Sequence, residues 1–553
     1  MLTRRREAKR PMTVIGILSV SLCASLWFVT GLAETLLAGS AYAQSNDEPT
    51  GSDAKACAAL AGDGKLPWSV NSAGFVQPPF TAYVAVGPRD KWKRVTVSVP
   101  FCRIVGTVKP TPESDIRFEL WLPPRADWNG KFEGVGSGAS LGTIQYPALM
   151  RALVRGYATA ATDNGHQSES GFDESWAMGQ PERVVDFGYR AEHMVTQAAK
   201  MLTELFYGHA PRHSYFVGCS QGGHHALTEA QRFPEDYDGI IAGSPVYSWT
   251  GEMAGQAWNA HALQQTTTGA LPVQKLQVLQ QAVTKACGGA DGLVDDPHPC
   301  SFDPAALRCT AAIPNSCLTD SEIEAVRRMY RGPRTSTGVQ IYPGLSPGGE
   351  ARWERLWGDP KRLGGSWQDF YRFMVFQNPS WELSAIDFDR DPALAKEKLG
   401  NILDPDSPDL ASFSDRGGKI IVYHGWADDM VPSQVSTDYY ESVTAKMGLE
   451  PVKHFYRLLM IPGMGHCGVG SGANVLFHSE ETAAVPLDPD RDMLTALEQW
   501  VEQGRAPSSF VASQLDKDGA IERTRLACAY PSIAKYRGSG DVNRAENWTC
   551  STK

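Results

Sequence analysis

The sequence predicts an α/β fold built on a mostly parallel sheet, and three observations lead to this expectation. Between residues 94 and 243, short apolar segments of strand-like composition alternate with helical periods, as in repeated β-α-β units. The alternation stops over residues 247–411 and returns at 419–423 and 456–461. With 42% hydrophobic and 21% charged residues among 553, the chain can bury a large core.

The elements of the first part follow in chain order. The alternating Val95, Val97 and Val99 predict a strand, and so do the apolar residues around Phe118. Further strands are predicted at 132–135, 156–163, 214–217 and 240–243. Helices are predicted at 181–206, from its apolar spacing, and from the glycine turn after 217 to about 233.

The stretch without alternation has the composition of an inserted lid domain. It contains four cysteines, many prolines and glycines, and an aromatic cluster. We therefore expect a first core part at 44–247, a lid at 248–410 and a second core part at 411–553. The aromatic cluster consists of Trp353, Trp357, Trp367, Phe370, Tyr371, Phe373 and Phe376.

Residues 1–43 have the pattern of a secretory signal peptide. A basic start is followed by an uncharged, mostly apolar stretch and by the small-x-small site Ala41-Tyr42-Ala43. The alternative is a retained anchor, because about 20 apolar residues can span a bilayer. Removal is favoured by the cleavage site and the polar sequence after it. We expect a secreted or periplasmic protein with no membrane contact after cleavage.

The net charge of −10 leaves no basic excess for neutralising phosphates. Nucleic acid is therefore not an expected partner. The sequence does not fix the oligomeric state.

Ten of the eleven cysteines lie outside the predicted signal. An even number in an exported chain predicts disulfides. Zinc is the alternative, but no C-x-x-C motif or clustered histidine accompanies these cysteines. Short spacings and a shared position at the C-terminus predict three pairs, which are Cys287–Cys300, Cys309–Cys317 and Cys528–Cys550.

Ser220 lies in the sequence Gly218-Cys219-Ser220-Gln221-Gly222, between a predicted strand and a predicted helix. In that context the G-x-S-x-G pattern is typical of a nucleophile elbow, whose tight turn exposes the serine hydroxyl. The pattern alone is common in ordinary turns. The flanking strand and helix are what favour the functional interpretation.

A serine nucleophile needs a base and an acid that orients the base. In α/β-hydrolases these follow the serine in the order Asp or Glu, then His. Asp428 and His466 each come just after a predicted strand. We expect Asp428 to orient His466, which would take the proton of Ser220. Asp429 competes for the role of the acid, and each of these side chains could also be an ordinary loop residue.

Cys219 precedes the predicted nucleophile and Cys467 follows the predicted base. If Ser220 and His466 meet, their neighbours are close enough to form a disulfide. Each cysteine could also be a buried thiol or pair elsewhere. With the bridge formed, the pair Cys57–Cys102 follows by elimination.

The tetrahedral intermediate of ester hydrolysis needs backbone N–H donors for its oxyanion. The N–H of Gln221, directly after the nucleophile, is one candidate. The second donor is expected in the glycine-rich turn after the strand at 132–135, at Gly136, Ser137 or Gly138. Such a turn also occurs without any catalytic role.

These residues resemble the tannase/feruloyl esterase family, which also contains bacterial mono(2-hydroxyethyl) terephthalate hydrolase. The resemblance covers nearly all of the chain after the predicted signal. It implies a secreted serine esterase for esters of aromatic acids, with an α/β-hydrolase fold and a large lid. It also implies the Ser220, Asp428 and His466 triad and the Cys219–Cys467 bridge. The motifs that carry it are Trp128-Asn129-Gly130-Lys131-Phe132, Arg155-Gly156-Tyr157-Ala158-Thr159-Ala160, Asp186-Phe187-Gly188-Tyr189-Arg190, Gly218-Cys219-Ser220, Asp238-Gly239-Ile240-Ile241-Ala242-Gly243, Tyr423-His424-Gly425-Trp426-Ala427-Asp428 and Gly465-His466-Cys467.

The chain departs from the family at two places. The family lid usually carries a calcium loop, which is shortened here to a run containing Asp291, Leu293 and Asp295. Calcium takes six or more oxygen ligands, so a structural Ca²⁺ in the lid stays an open expectation, while the ester chemistry needs no cofactor. After Ser220, this chain has His224-His225 in a segment where relatives often carry Thr and Arg, which indicates a divergent subgroup.

For the substrate, we expect the lid aromatics to stack on a flat acyl group above Ser220. Arg372 lies among them and could meet a carboxylate or phenol, although a surface charge is the more common role. Val431, three residues after Asp428, is expected to line the pocket.

The expected function is hydrolysis of feruloyl, galloyl or terephthaloyl-type esters through an acyl-enzyme, with a small aromatic ester as the partner. Two alternatives stay open. One is a serine peptidase or acyltransferase using the same triad, and the other is an inactive exported binding protein.

Overall fold

A central sheet of nine strands organises the chain in the computed structural model, which describes residues 51–61, 68–85, 92–168, 170–310, 316–357 and 365–552. The predicted signal peptide lies outside the described residues. The described residues form fifteen strands, nine in this sheet and six in three two-stranded sheets. They are β1 (Ser69–Val76), β2 (Phe80–Ala85), β3 (Trp92–Val97), β4 (Phe101–Val108), β5 (Ile116–Leu122), β6 (Lys131–Val135), β7 (Ala158–Thr162), β8 (His213–Cys219), β9 (Gly239–Gly243), β10 (Lys419–Gly425), β11 (Tyr456–Ile461), β12 (Ser509–Leu515), β13 (Ile521–Cys528), β14 (Ile533–Tyr536) and β15 (Trp548–Ser551).

Helices cover the sheet and fill the segment between β9 and β10. They are α1 (Gly51–Ala59), α2 (Tyr146–Val154), α3 (Pro181–Val185), α4 (Ala191–Tyr207), α5 (Gln221–Arg232), α6 (Trp249–Gln264), α7 (Val273–Cys287), α8 (Asp320–Arg331), α9 (Glu354–Trp357), α10 (Ser366–Asp369), α11 (Asp391–Leu403), α12 (Ala411–Asp415), α13 (Gln434–Met447), α14 (Leu449–Lys453) and α15 (Met493–Gln503).

The strand order of the central sheet is β1-β4-β5-β7-β6-β8-β9-β10-β11. The three strands at one edge pair antiparallel, and β7 through β11 run parallel. Every residue of β7 and β9 is buried, as expected where helices cover both faces of a parallel sheet. The α/β class predicted from the sequence is therefore observed.

The alternating valines form a strand as predicted, but that strand lies outside the central sheet. Val95 and Val97 lie in β3, which pairs with β2 in a separate antiparallel hairpin. Val99 falls after the end of that strand. Their period of two residues correctly indicated a strand, but it carries no information about the sheet in which the strand lies.

The inserted segment contributes no strand to the central sheet among the described residues. Helices α6 to α11 make up most of its regular structure, so the loss of β/α alternation in the sequence corresponds to a helical region. The boundaries of the lid, 248–410, stay a prediction.

Five disulfides staple the fold, and they are the five pairs expected from the sequence: Cys57–Cys102, Cys219–Cys467, Cys287–Cys300, Cys309–Cys317 and Cys528–Cys550. In the part of the chain that the structure describes, we find no helix with the length and apolar character needed to cross a bilayer.

Candidate active site

Ser220 lies in a sharp turn between β8 and α5, with the unusual backbone angles φ 63° and ψ −118°. Its N–H donates to the Gly243 carbonyl at 2.9 Å, and its carbonyl accepts from His224 at 3.0 Å. A Cβ atom on Gly218 would lie 2.7 Å from the Cα of Gly222, so only glycine allows this close approach. The strained turn is the geometry expected of a nucleophile elbow.

The imidazole of His466 contacts the carboxylate of Asp428. Its Nδ1 lies 2.9 Å from Oδ2 and 3.1 Å from Oδ1. The backbone N–H groups of Met430 and Val431 both donate to Asp428 Oδ1 at 2.9 Å. The loop after β10 therefore holds the carboxylate in place and points it at one ring nitrogen, which leaves Nε2 for another partner.

The two side chains shift each other's protonation. Burial alone would raise the pKa of Asp428, but the imidazoles of His466 and His424 lower it well below its usual range. Burial alone would lower the pKa of His466, but the Asp428 carboxylate outweighs burial and raises it. A carboxylate that stays ionised beside a more basic imidazole is the arrangement that a general base requires.

Asp429 has a different environment from its neighbour. Its Oδ1 accepts from Arg352 Nε at 3.2 Å and from the backbone N–H of His466 at 3.4 Å. It contacts the main chain of the histidine, whereas Asp428 contacts the ring. Arg352 lies in the inserted segment, and no motif around it pointed to this contact.

The Cys219–Cys467 disulfide joins the residue before Ser220 to the residue after His466, with 5.9 Å between the two Cα atoms. It links positions 248 residues apart. The bridge therefore fixes the ends of β8 and of the loop after β11 next to each other.

The predicted oxyanion donors are not equivalent. Gln221 is the first residue of α5, where backbone N–H groups have no acceptor within the helix. The N–H of Gly136 donates to the Val217 carbonyl at 3.0 Å, which continues the ladder between the two neighbouring strands. That bond corrects the expectation for Gly136, because its N–H is already used.

Ser137 stays a candidate for the second donor, and its side chain is held in place. The Ser137 hydroxyl donates to Gln221 Oε1 at 3.1 Å and accepts from Asn164 Nδ2 at 3.0 Å. Its carbonyl accepts from the Gly222 N–H at 2.8 Å. The sequence gave no indication of Asn164, which follows the strand β7.

Val431 and His424 both contact the carboxylate of Asp428. His424 Nε2 lies 3.2 Å from Asp428 Oδ2 and 3.2 Å from the Val431 carbonyl. The Val431 side chain is buried. Its backbone contacts therefore give it a positioning role, and contact with substrate stays a prediction. In the sequence, His424 stands out only as a member of the motif Tyr423-His424-Gly425-Trp426-Ala427-Asp428 at the end of β10.

The lid aromatics form the core of the lid. Trp353, Trp357, Trp367, Phe370 and Tyr371 are all buried, and the rings of Trp357 and Trp367 lie 5.2 Å apart. This burial corrects the expectation that these five rings stack on a flat acyl group. For the partly exposed Phe373 and Phe376, contact with the acyl group stays a prediction.

Arg372 is also engaged within the lid. Its Nε donates to the Trp381 carbonyl at 2.6 Å, and a terminal nitrogen donates to Glu382 at 2.7 Å. Asp369 lies 3.4 Å from the other terminal nitrogen. These contacts correct the expectation that Arg372 meets the substrate.

The shortened lid loop does not fit a calcium ion. Arg525 is 1% exposed; its Nε donates to Asp291 Oδ2 at 2.9 Å, and a terminal nitrogen contacts Asp295 Oδ1. The Leu293 carbonyl accepts from Gly289 at 2.7 Å. The Arg525 guanidinium thus supplies the positive charge that a metal ion would otherwise supply. All three expected ligands already have polar partners within the protein. This corrects the expectation of Ca²⁺ at Asp291, Leu293 and Asp295.

The mixed central sheet has a serine elbow after β8, an aspartate in the loop after β10 and a histidine in the loop after β11, and this arrangement is that of an α/β-hydrolase. Residues 102–551 match the family model for tannase and feruloyl esterase. The chain belongs to this family and is a carboxylic ester hydrolase, and esterases of this kind act without a cofactor.

Similar proteins agree with this assignment. An uncharacterised esterase of Xanthomonas campestris pv. campestris is 37% identical over 486 residues, which cover 81% of this chain and 84% of that one. A probable feruloyl esterase B-1 of Aspergillus fumigatus is 31% identical over 465 residues, covering 82% and 86%. The crystal structure of feruloyl esterase B from Aspergillus oryzae superposes with a TM-score of 0.81 at 28% identity, covering 90% of this chain and all (100%) of that chain.

Proposed function

We propose that this protein is an exported serine esterase that hydrolyses esters of aromatic carboxylic acids through an acyl-enzyme on Ser220. The observation that carries the proposal is the Cys219–Cys467 bridge, which ties the elbow of Ser220 to His466, whose ring contacts Asp428. Relatives named feruloyl esterase B support an aromatic acyl group, so feruloyl esters are the first class to test.

In the first half of the reaction, Ser220 Oγ attacks the ester carbonyl carbon while His466 Nε2 takes the hydroxyl proton. The Gln221 N–H, with Ser137 as the second donor, stabilises the negative oxygen of the tetrahedral intermediate. The C–O bond to the alcohol then breaks, and His466 returns the proton to the departing oxygen. The acyl group is left bound to Ser220 as an ester.

In the second half, water takes the place of the alcohol. His466 Nε2 removes a proton from the water as its oxygen attacks the acyl carbon, and a second tetrahedral intermediate forms. Collapse breaks the bond to Ser220 Oγ, which recovers the proton from His466. The carboxylic acid leaves, and Asp428 stays ionised throughout, stabilising the imidazolium in each half.

Export is part of the proposal. Five disulfides are typical of a protein that folds in an oxidising compartment, and the signal peptide predicted at 1–43 would direct the chain there. If this is right, the protein recovered from outside the cytoplasm begins at Gln44, which N-terminal sequencing or intact mass would detect. An N-terminus at Met1 would contradict it.

A panel of esters tests the chemistry. Methyl ferulate, methyl gallate, mono(2-hydroxyethyl) terephthalate and 4-nitrophenyl acetate are each mixed with the wild type and with Ser220→Ala. We expect hydrolysis of at least one aromatic-acid ester and loss of about 10³-fold or more in kcat in the variant. Ser442→Ala is the matched control, because that hydroxyl donates to the Tyr439 carbonyl of its own helix, α13.

Two outcomes would contradict the proposal. If 4-nitrophenyl acetate is hydrolysed and none of the aromatic-acid esters is, the substrate class is wrong. Equal activity of wild type and Ser220→Ala would overturn the nucleophile.

A further inference from the structure

A buried polar cluster lies between helices α4 and α5, away from the reacting groups. His193 on α4, Glu229 on α5 and Asp236 just beyond α5 place one potential ligand atom each within 4.8 Å of one another. His193 Nδ1 lies 2.6 Å from Asp236 Oδ2. We call these three residues, with their neighbours Glu192 and His225, the α4–α5 site.

Glu229 is buried without a hydrogen-bond donor among the described residues, and the carboxylate of Asp236 is its nearest polar neighbour, close enough to share a proton with it. The side chain is 1% exposed, and neither carboxylate oxygen has a hydrogen-bond partner among the described residues. Burial, with the nearby carboxylates of Asp236 and Glu192, raises the pKa of Glu229 well above its usual value. A buried carboxylate without a donor is costly, so this group points to a ligand.

His225 and Glu192 extend the same site. The His225 side chain is 1% exposed. Within the part of the chain that the structure describes, neither ring nitrogen has a hydrogen-bond partner with good geometry, although Nδ1 lies 3.1 Å from Glu192 Oε1. Glu192 directly precedes His193 on α4, and His225 lies one turn before Glu229 on α5.

The charges of the site do not balance. Glu192, Glu229 and Asp236 supply three carboxylates, and the ammonium of Lys200 donates to the Asp236 carbonyl. The raised pKa keeps Glu229 protonated in the empty site, and a metal ion would displace that proton. With the imidazoles neutral and Glu229 ionised in this way, the groups sum to a charge of −2. A divalent cation would neutralise that charge.

We propose that the α4–α5 site binds a divalent transition-metal ion, with Zn²⁺ as the best match. His193, Glu229 and Asp236 would be the ligands, since imidazole and carboxylate donors together favour zinc over calcium or magnesium. Tetrahedral zinc bonds of about 2.0–2.2 Å would place the ligand atoms about 3.3–3.6 Å apart. His193 Nδ1 and Asp236 Oδ2, now 2.6 Å apart, would therefore separate to admit the ion. Glu192 and His225 would form the surrounding shell.

The neighbours of His193 already orient its ring. Phe233 stacks on the imidazole, with 3.8 Å between ring centroids, and Gln197 Nε2 lies 3.1 Å from His193 Nε2. A metal at Nδ1 moves the ring proton to Nε2, where the Gln197 side-chain oxygen can accept it after the amide turns over. His193 is only partly buried, which gives the ion a route of entry.

The role of such an ion is structural. Glu229 lies nine residues after Ser220, about 13 Å along α5 at 1.5 Å per residue. The ion would tie α4 to α5, the helix that begins at the nucleophile. Metal binding itself, rather than hydrolysis, is therefore the property to measure.

The test uses the untagged mature chain after dialysis against chelator. Calorimetric titration with ZnCl₂ is expected to give one site per chain and an increase in melting temperature. Cobalt substitution is expected to give the visible absorption of Co²⁺ bound by nitrogen and oxygen ligands. Glu229→Gln and His193→Ala are expected to weaken zinc binding at least tenfold.

Glu204→Gln is the matched control, because it removes one exposed carboxylate from α4 without touching the site. Ester hydrolysis by each variant shows that it is folded. The proposal fails if the wild type binds no zinc, or if Glu229→Gln and His193→Ala bind it as tightly as Glu204→Gln. Because the readout is binding, these results do not depend on which ester the enzyme cleaves.

Discussion

The carboxyl edge of the central sheet and the helix layer behind it both bury acidic side chains, but they stabilise them differently. At the edge, Asp428 faces His466, and Asp291 in the adjoining lid loop faces Arg525. In the helix layer, Glu229 is buried without a hydrogen-bond donor among the described residues. The chemistry of the acids is alike, and the difference lies in the partner that the chain supplies.

This difference shows two ways to bury charge. A guanidinium held over the Trp548 ring, with 3.2 Å to its centroid, is a permanent cation that needs no ion from solution. The α4–α5 site leaves a negative charge that an exchangeable cation can neutralise. Removing the cationic partner of an acid at the sheet edge or in the lid loop should therefore make that acid depend on a cation from solution, as we propose for the α4–α5 site.

The largest effect is expected at Asp428, because the partner of its carboxylate, His466, is the proposed general base. Asp428→Asn keeps the shape but no longer stabilises the protonated ring of His466. We expect kcat to fall about 10⁴-fold, as in other triads that lose this charge, with little change in melting temperature. Asp409→Asn, at an exposed aspartate, is the matched control. A loss below tenfold would show that Asp428 is not the acid.

Arg525→Met should have the largest effect on stability. The change leaves the buried carboxylate of Asp291 and the partly buried carboxylate of Asp295 without their cation, which costs about 3–5 kcal/mol of unfolding free energy. It should also create a dependence on calcium, so that added CaCl₂ stabilises the variant and not the wild type. Urea denaturation with and without CaCl₂ measures both effects. Arg523→Met, two residues earlier on β13, is the control.

If calcium stabilises the wild type as much as the variant, Arg525 does not replace the ion. If the variant is as stable as the wild type, the two aspartates do not need a cation at all. Either result would remove the contrast between the lid loop and the helix layer.

These partners also show what can be predicted from the sequence. The elbow at Ser220 and the loops carrying Asp428 and His466 were predictable because each is a local motif at a strand end. The cysteine pairs followed from spacing and from those motifs. Local pattern is enough where one strand and its following loop position the group.

Contacts made across the fold could not be predicted in this way. Arg525 lies 234 residues from Asp291, so the sequence of the lid loop resembles a weakened calcium site and gives no sign of the guanidinium. The hydrogen bond that uses the Gly136 N–H depends on its neighbour strand β8. The α4–α5 site depends on which faces of two helices pack together, and no motif marks it.

Glu252 on α6 is intermediate between the acids that have a charged partner and Glu229, which has no donor among the described residues. Its buried carboxylate accepts a hydrogen bond from the neutral amide of Gln256 at 2.5 Å. Burial raises its pKa from 4.5 to about 8, and the charge of Asp428 adds to the effect. The folded protein thus holds this proton more tightly than the unfolded chain. Its contribution to stability is full below pH 4.5 and is lost as the pH rises to about 8.

Glu252→Gln cannot titrate, so its unfolding free energy should lack this decline. The stability of the variant relative to wild type is expected to rise by about 2–4 kcal/mol between acid and mildly alkaline pH. Urea denaturation at three pH values checks this, with Glu204→Gln as the exposed control. Parallel profiles for wild type and Glu252→Gln would mean that Glu252 is not held protonated.

The smallest effect is expected at Asp429, which contacts the backbone of His466 and adds to the rise in the pKa of that imidazole. Hydrolysis requires the neutral ring, so kcat/KM falls as the pH drops below this pKa. Asp429→Asn removes a negative charge near the ring and lowers the pKa, which moves the acid limb of the pH–rate profile to lower pH. We expect a shift of less than about one pH unit and a nearly unchanged maximal rate. If Asp429→Asn instead loses as much kcat as Asp428→Asn, the ring contact does not decide which of the two neighbouring aspartates is the catalytic acid.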